Sequence, residues 1–178
     1  MAAVAAHGGY REATVDRVLE QARVGWGEFN RQFADLDACF LTAIEAGFDC
    51  AAAEVATAHD GGASPDAATR LALDRLLELV SRNPEIAHLC LVESAALGAR
   101  AIEVKEQGLQ RFVEMLERQL TPRSGSAATL IAEMIAGGVY EVLQRKARSG
   151  ELRDRRQTAA DLRQVWAPLI RAGQRPAD

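Results

Sequence analysis

The sequence predicts an all-α protein, and three observations carry that prediction. Apolar residues recur at i, i+3, i+4 and i+7 through most of the chain, the spacing of a single buried face on a helix. No run of alternating apolar and polar residues is long enough for a strand. The 178 residues are 48% hydrophobic and 26% charged, with 5% aromatic and five prolines, which suits alanine- and leucine-rich helices around a well-buried core. About nine helices are expected.

Residues 1–8 make barely two turns. Thr14 is a good N-cap, and Val15, Val18, Leu19 and Ala22 then build one apolar face on a short helix. Gly25 and Gly27 punctuate the start of a second short helix, to which Phe29 and Phe33, four residues apart, give a buried edge. Helices this short do not persist alone because nucleation is costly, so the pair must lean on itself and on a third element. This is helix-turn-helix grammar, and it assigns residues 1–46 to one module and 47–178 to a second.

Asp35 caps a longer helix, with Asp37 in its first turn, running through Phe40, Leu41, Ile44, Phe48 and Val55 to about His59. Asp60-Gly61-Gly62-Ala63 ends it. Ser64-Pro65 and Asn83-Pro84 each put a proline at a first helical position, a start signal. The first of these helices carries Leu71, Leu73, Leu76, Leu77 and Val80. The second is expected over residues 84–100, with Ile86, Leu89, Cys90, Glu93 and Leu97 on one stripe. A carboxylate among apolar neighbours is expensive unless paired, so Glu93 is either held by Arg100 or Arg111 or turned towards a ligand.

The next helix, residues 101–120, turns Leu109, Phe112, Val113, Leu116 and Leu120 inward; Thr121-Pro122 ends it and Arg123-Ser124-Gly125 is a link. Ser126 opens a helix of Ala127, Leu130, Ile131, Met134, Ile135, Val139, Val142 and Leu143. Gly137-Gly138 should break it in the middle at about 1 kcal/mol each against alanine, with close approach of another helix as the compensation. The last helix, residues 158–172, sets Leu162, Val165, Trp166, Leu169 and Ile170 on one face, and Pro168 should kink it.

Several function classes are disfavoured. There is no glycine-rich phosphate loop, HExxH, paired cysteines or nucleophile elbow, so an enzyme is not expected, nor a cofactor or metal. His7, His59 and His88 are scattered. Cys39 and Cys50 share one helix about 16 Å apart at ~1.5 Å per residue, too far for a bridge, so these and Cys90 read as reduced core thiols. No apolar stretch reaches the ~18 residues of a membrane span and no signal segment opens the chain, so a cytoplasmic protein with no membrane partner is expected. Nineteen of the 21 basic residues are arginine, which suggests a bacterial source of high GC content.

Gly9-Tyr10, Thr14-Val15, Val18-Leu19, Ala22, Val24, Gly27, Phe29 and Phe33, continuing through Asp35, Cys39, Phe40 and Leu41, hold their register without a gap over roughly forty residues. This stretch resembles the DNA-binding region of TetR-family transcriptional regulators, and LCLVE followed by LGxRA resembles a subset of them. Arg23 departs from a usual corner glycine, Asn30 from a phosphate-contacting tyrosine and Leu36 from a frequent lysine. The family's first helix is longer and often preceded by a basic arm, so either this chain starts further upstream or the arm has been lost.

The resemblance implies a homodimeric repressor whose second short helix enters the major groove of duplex DNA. Thr14, Asn30, Arg31 and Gln32 would then hold phosphates while Gly25, Trp26 and Glu28 face bases. It implies an effector cavity between residues ~40 and ~120, for which Phe48, Leu77, Leu89, Cys90, Phe112, Met115 and Met134 are the apolar candidates and Glu93 the polar one, the effector being an apolar small molecule. It implies a four-helix dimer interface from the last two helices, with Leu130, Ile131, Gly137, Gly138 and Val142 on one and Leu162, Val165, Trp166 and Leu169 on the other. One property points elsewhere. Residues 1–46 hold Arg11, Arg17, Arg23 and Arg31 against Glu12, Asp16, Glu20, Glu28, Asp35, Asp37 and Glu45, four bases against seven acids and a net of −3. A surface that neutralises phosphate should be basic, so a dimeric ligand-binding module with weak or lost DNA affinity is the alternative.

Overall fold

The computed structural model describes residues 9–62, 64–120 and 126–173, which form eight α-helices with no strand among them. They are α1 (Val15–Ala22), α2 (Trp26–Gln32), α3 (Leu36–Asp60), α4 (Pro65–Arg82), α5 (Pro84–Leu91), α6 (Ala99–Leu120), α7 (Ser126–Ser149) and α8 (Arg155–Gly173). Short 3-10 turns at Tyr10–Glu12, Glu93–Leu97 and Glu151–Arg153 lead into α1, α6 and α8. The expected helix at residues 1–8, the link at 121–125 and the side chain of Leu169 lie outside the described residues.

The helices start where side chains can satisfy their free N–H groups. Thr14 Oγ1 accepts from Arg17 N–H at 3.3 Å, Asp35 Oδ1 from Ala38 N–H at 2.7 Å and Ser64 Oγ from Ala67 N–H at 3.3 Å. Between α1 and α2 the chain turns at Arg23, whose φ of 56° and ψ of 42° lie in the left-handed region. It is the one non-glycine residue with positive φ among those described, at the position where the resembling family has glycine.

Three apolar clusters hold the helices together. Val18 and Leu19 of α1, Phe29 of α2 and Cys39 of α3 form the smallest. Phe40, Ile44 and Phe48, further along α3, join Leu89 and Cys90 of α5 in the second. The third and largest draws on α3 to α8 and includes Leu73, Leu116, Ile135, Leu143 and Trp166. Because α3 contributes to all three and runs unbroken through residues 46 and 47, the expected module boundary falls inside a continuous helix. Its neighbours come unusually close. A Cβ on Gly47 would lie 2.6 Å from Cys90 Sγ, and one on Gly108 of α6 would lie 2.5 Å from Phe48 Cγ.

Two helix expectations are corrected. The helix from Pro84 stops at Leu91 rather than near 100; Glu93–Leu97 is a 3-10 turn, and Gly98 at φ 70° redirects the chain into α6. Gly137-Gly138 does not break α7, which continues from Ser126 to Ser149. No helix among the described residues is long and apolar enough to cross a membrane.

Candidate functional site

The α1–α2 pair is pinned from one side only. Phe29 is 4% exposed and packs its ring 5.4 Å from that of Phe33, while Trp26 lies edge-on to Phe29 at 6.4 Å and remains 52% exposed. All other α2 residues, Gly27, Glu28, Asn30, Arg31 and Gln32, are exposed, as is Gly25 before them. A Cβ on Gly25 or Gly27 would meet nothing within 4 Å, so the backbone at the start of α2 is open to a second molecule. The residues expected to meet DNA are therefore all exposed. Three are already engaged: Thr14 Oγ1 caps α1, and Arg31 and Glu28 face each other at 3.8 Å.

Behind the pair, α3 to α8 surround a cavity of about 510 Å³. Its α3 wall holds Phe48 and Val55 together with Ala43, Ala46, Gly47, Cys50 and Ala51, small side chains about a turn apart that leave space unfilled. Phe48, Phe112, Met115, Tyr140 and Trp166 are its largest lining side chains. Among the described residues, no Asp, Glu, Lys, Arg or His lines it. Burial pushes the Cys90 thiol up to about 12 and raises Tyr140 as well, so both stay protonated and neutral near pH 7. Phe48 and Tyr140 stack at 6.5 Å, and Lys105 Nζ lies 5.7 Å from the Tyr140 ring, outside the lining.

The structure sorts the expected lining residues. Phe48, Cys90, Phe112 and Met115 border the cavity; Leu77, Leu89, Glu93 and Met134 do not. Leu77 lies beside Ala159 and Arg163 of α8, on the other side of α4. Leu89 is fully buried with Phe40 and Ile44. Met134 is 55% exposed on the outer face of α7. Glu93 is a structural partner: its Oε2 accepts the Tyr10 N–H at 2.8 Å and its Oε1 lies 3.2 Å from His88 Nε2. Neither proposed arginine holds it, since Arg111 pairs with Asp49. Cys50, expected in the core, is exposed.

Tyr10 ties this joint together. Its hydroxyl donates to Asp37 of α3, and that hydrogen bond, ahead of burial, pushes the phenol up to about 12. Its ring meets Phe40 edge-on at 4.9 Å. The turn feeding α1 is thus fastened both to α3 and, through Glu93, to His88 on the cavity helix α5.

The expected interface residues also divide. Leu130, Gly137, Gly138 and Val165 are exposed, with Val165 at 62%, and the two glycines have open space where a Cβ would sit; Met134, expected in the cavity, is exposed beside them. Ile131 and Val142 are half-buried against the main core. Leu162 and Trp166 are 4% and 7% exposed inside the subunit, so they cannot supply an interface; Trp166 belongs to the cavity. Periodicity merged two adjacent stripes, because neighbouring residues on a helix point about 100° apart. No protein-family model matches the chain, and no curated protein matches it in sequence.

Proposed function

We propose that this chain is a homodimeric, DNA-binding transcriptional regulator of the TetR type, a repressor released by an apolar small molecule. The observation that carries the reading is that one unbroken helix, α3, connects an outward-facing short helix to an apolar cavity in the same subunit. In this reading α2 enters the major groove, with Asn30, Arg31 and Gln32 on phosphates and Gly25, Trp26 and Glu28 towards bases. An effector that displaces α5 from the cavity wall acts on the Tyr10–Glu12 turn through His88 and Glu93, and so on the angle of the reading pair. A second copy covers Leu130, Met134, Gly137, Gly138 and Val165. The two glycines have no close contact within the subunit, and a facing helix would supply the compensation their cost requires.

The acidic balance of residues 1–46 favours a second reading, the same fold as a dimeric ligand-binding module with weak or lost DNA affinity. Retention of a random-sequence duplex pool at two salt concentrations separates them, for this chain and for a version extended upstream. The regulator predicts a steep fall with salt, with a slope lower by about one in the Arg31→Ala variant. No retention by either version while the dimer persists supports the second reading. Sedimentation of Leu130→Glu with Met134→Glu tests the pairing: a dimeric parent and a monomeric variant are expected, and a monomeric parent removes the dimer from both readings.

A further inference from the structure

We infer that the cavity selects uncharged, lipophilic small molecules and admits them between α3 and the α4–α5 corner, an inference that rests on reading this space as the effector site. Two observations set the class of ligand. Among the described residues the lining holds no charged side chain, and its polar members, among them Thr69, Asn83 and Tyr140, are neutral. An ionised group buried there would lose its hydration without gaining a counterion. The volume of about 510 Å³ lies within the roughly 300–1,000 Å³ of pockets that enclose small organic molecules.

The entrance follows from where the lining meets solvent. Ala46 and Cys50 on α3, Asn83 at the corner and Ile86 on α5 are exposed, and all four border the cavity. At the other end Val55, Leu73, Ile135, Leu143 and Trp166 are buried. Cys50 is the exposed thiol, Cys39 and Cys90 being buried, so it marks the entrance chemically. Trp166 marks the floor.

N-phenyl-1-naphthylamine and its 8-sulfonate provide the test, because they share a skeleton and differ by one anion that sits mid-molecule and cannot be left in solvent at the mouth. In a Trp26→Phe chain, Trp166 is the remaining tryptophan, and energy transfer from it reports a probe in the cavity. Saturable transfer to the neutral probe is expected, with the sulfonate weaker by roughly a hundredfold. A halogenated hydroxydiphenyl ether, measured as competitor above and below its own phenol pKa, separates charge from size; only its neutral form should displace the probe. Equal binding of both charge states overturns the ligand class and would point to Lys105 as counterion, leaving the regulator reading intact. No transfer from any probe overturns the inference as a whole. For the entrance, the neutral probe should slow modification of Cys50 by a thiol reagent, and Ala46→Phe with Ile86→Phe should weaken its binding without lowering Tm. Unchanged Cys50 reactivity at saturation overturns the entrance. If the neutral probe binds as expected but leaves DNA retention unaltered, the inference stands and the regulator reading falls.

Discussion

Gly47 should resist replacement by alanine for one reason, the sulfur atom facing it. Within a helix, alanine is favoured over glycine by about 1 kcal/mol, so Gly47→Ala would ordinarily stabilise α3. Here the new methyl would sit 2.6 Å from Cys90 Sγ and 3.2 Å from Ile86 Cγ2. Relieving the first contact requires α3 and α5 to separate by about 1 Å, and overpacking of this kind costs about 1–3 kcal/mol. The net expectation is a loss of about 1 kcal/mol, or about 2–4 °C in Tm for a chain of this size. Cys90→Ala removes the obstruction and itself costs about 1 kcal/mol of burial. In that background Ile86, 37% exposed, can turn aside, so Gly47→Ala should become neutral or stabilising by up to about 1 kcal/mol. Urea denaturation followed by far-UV circular dichroism gives the four stabilities, and equal m-values would validate the comparison. The coupling should be about 1–2 kcal/mol. Effects that add to within ~0.5 kcal/mol, or a Gly47→Ala chain more stable than its parent, would refute the close α3–α5 contact.

Arg23→Gly should stabilise the chain by about 0.5–1 kcal/mol, because the left-handed backbone at φ 56° is strained for arginine and free for glycine, even after glycine's greater entropy in the unfolded chain; a lower urea midpoint would show that the Arg23 side chain contributes more than the turn costs. Tyr10 predicts an alkaline weakness. Its folded value of about 12 exceeds the ordinary 10.0, so the contribution of its hydrogen bond to Asp37 is complete below pH 10 and lost as pH rises through about 12. Two units amount to about 2.7 kcal/mol, reduced to about 1 kcal/mol because the pair is exposed to solvent. Tyr10→Phe should flatten the fall in stability over that window, and parallel curves for the two proteins would contradict this assignment.

Local chemistry was legible in the sequence wherever the physics is local. Thr14, Asp35 and Ser64 cap as expected, and both proline starts hold, since each depends on residues within one turn. The stop at Leu91 was not legible. ESAAL continues a good helical pattern, and what accompanies the departure is the contact of Glu93 with the N–H of Tyr10, 83 residues away. The same limit explains the cavity. Periodicity identified Trp166 and Met134 as apolar, but whether a stripe meets the core or solvent depends on which helix lies opposite. Trp166 faces the cavity and is buried, while Met134, on a helix more apolar in sequence, faces outward. Small residues were the missed signal: Ala43, Ala46, Gly47, Cys50 and Ala51 line the α3 side of the cavity, and a face so rich in small side chains leaves room that larger neighbours do not fill.

The 25 residues of α3 span about 37 Å at ~1.5 Å per residue. Hydrogen-bonded throughout, such a rod is stiffer along its length than the side-chain contacts at either end. A pivot of only ~5° near Asp60 carries the Leu36 end sideways by about 3 Å, the length of a hydrogen bond. Whatever gathers at that end therefore responds to rearrangements too small to disturb the packing where they begin, and geometry alone supplies the gain.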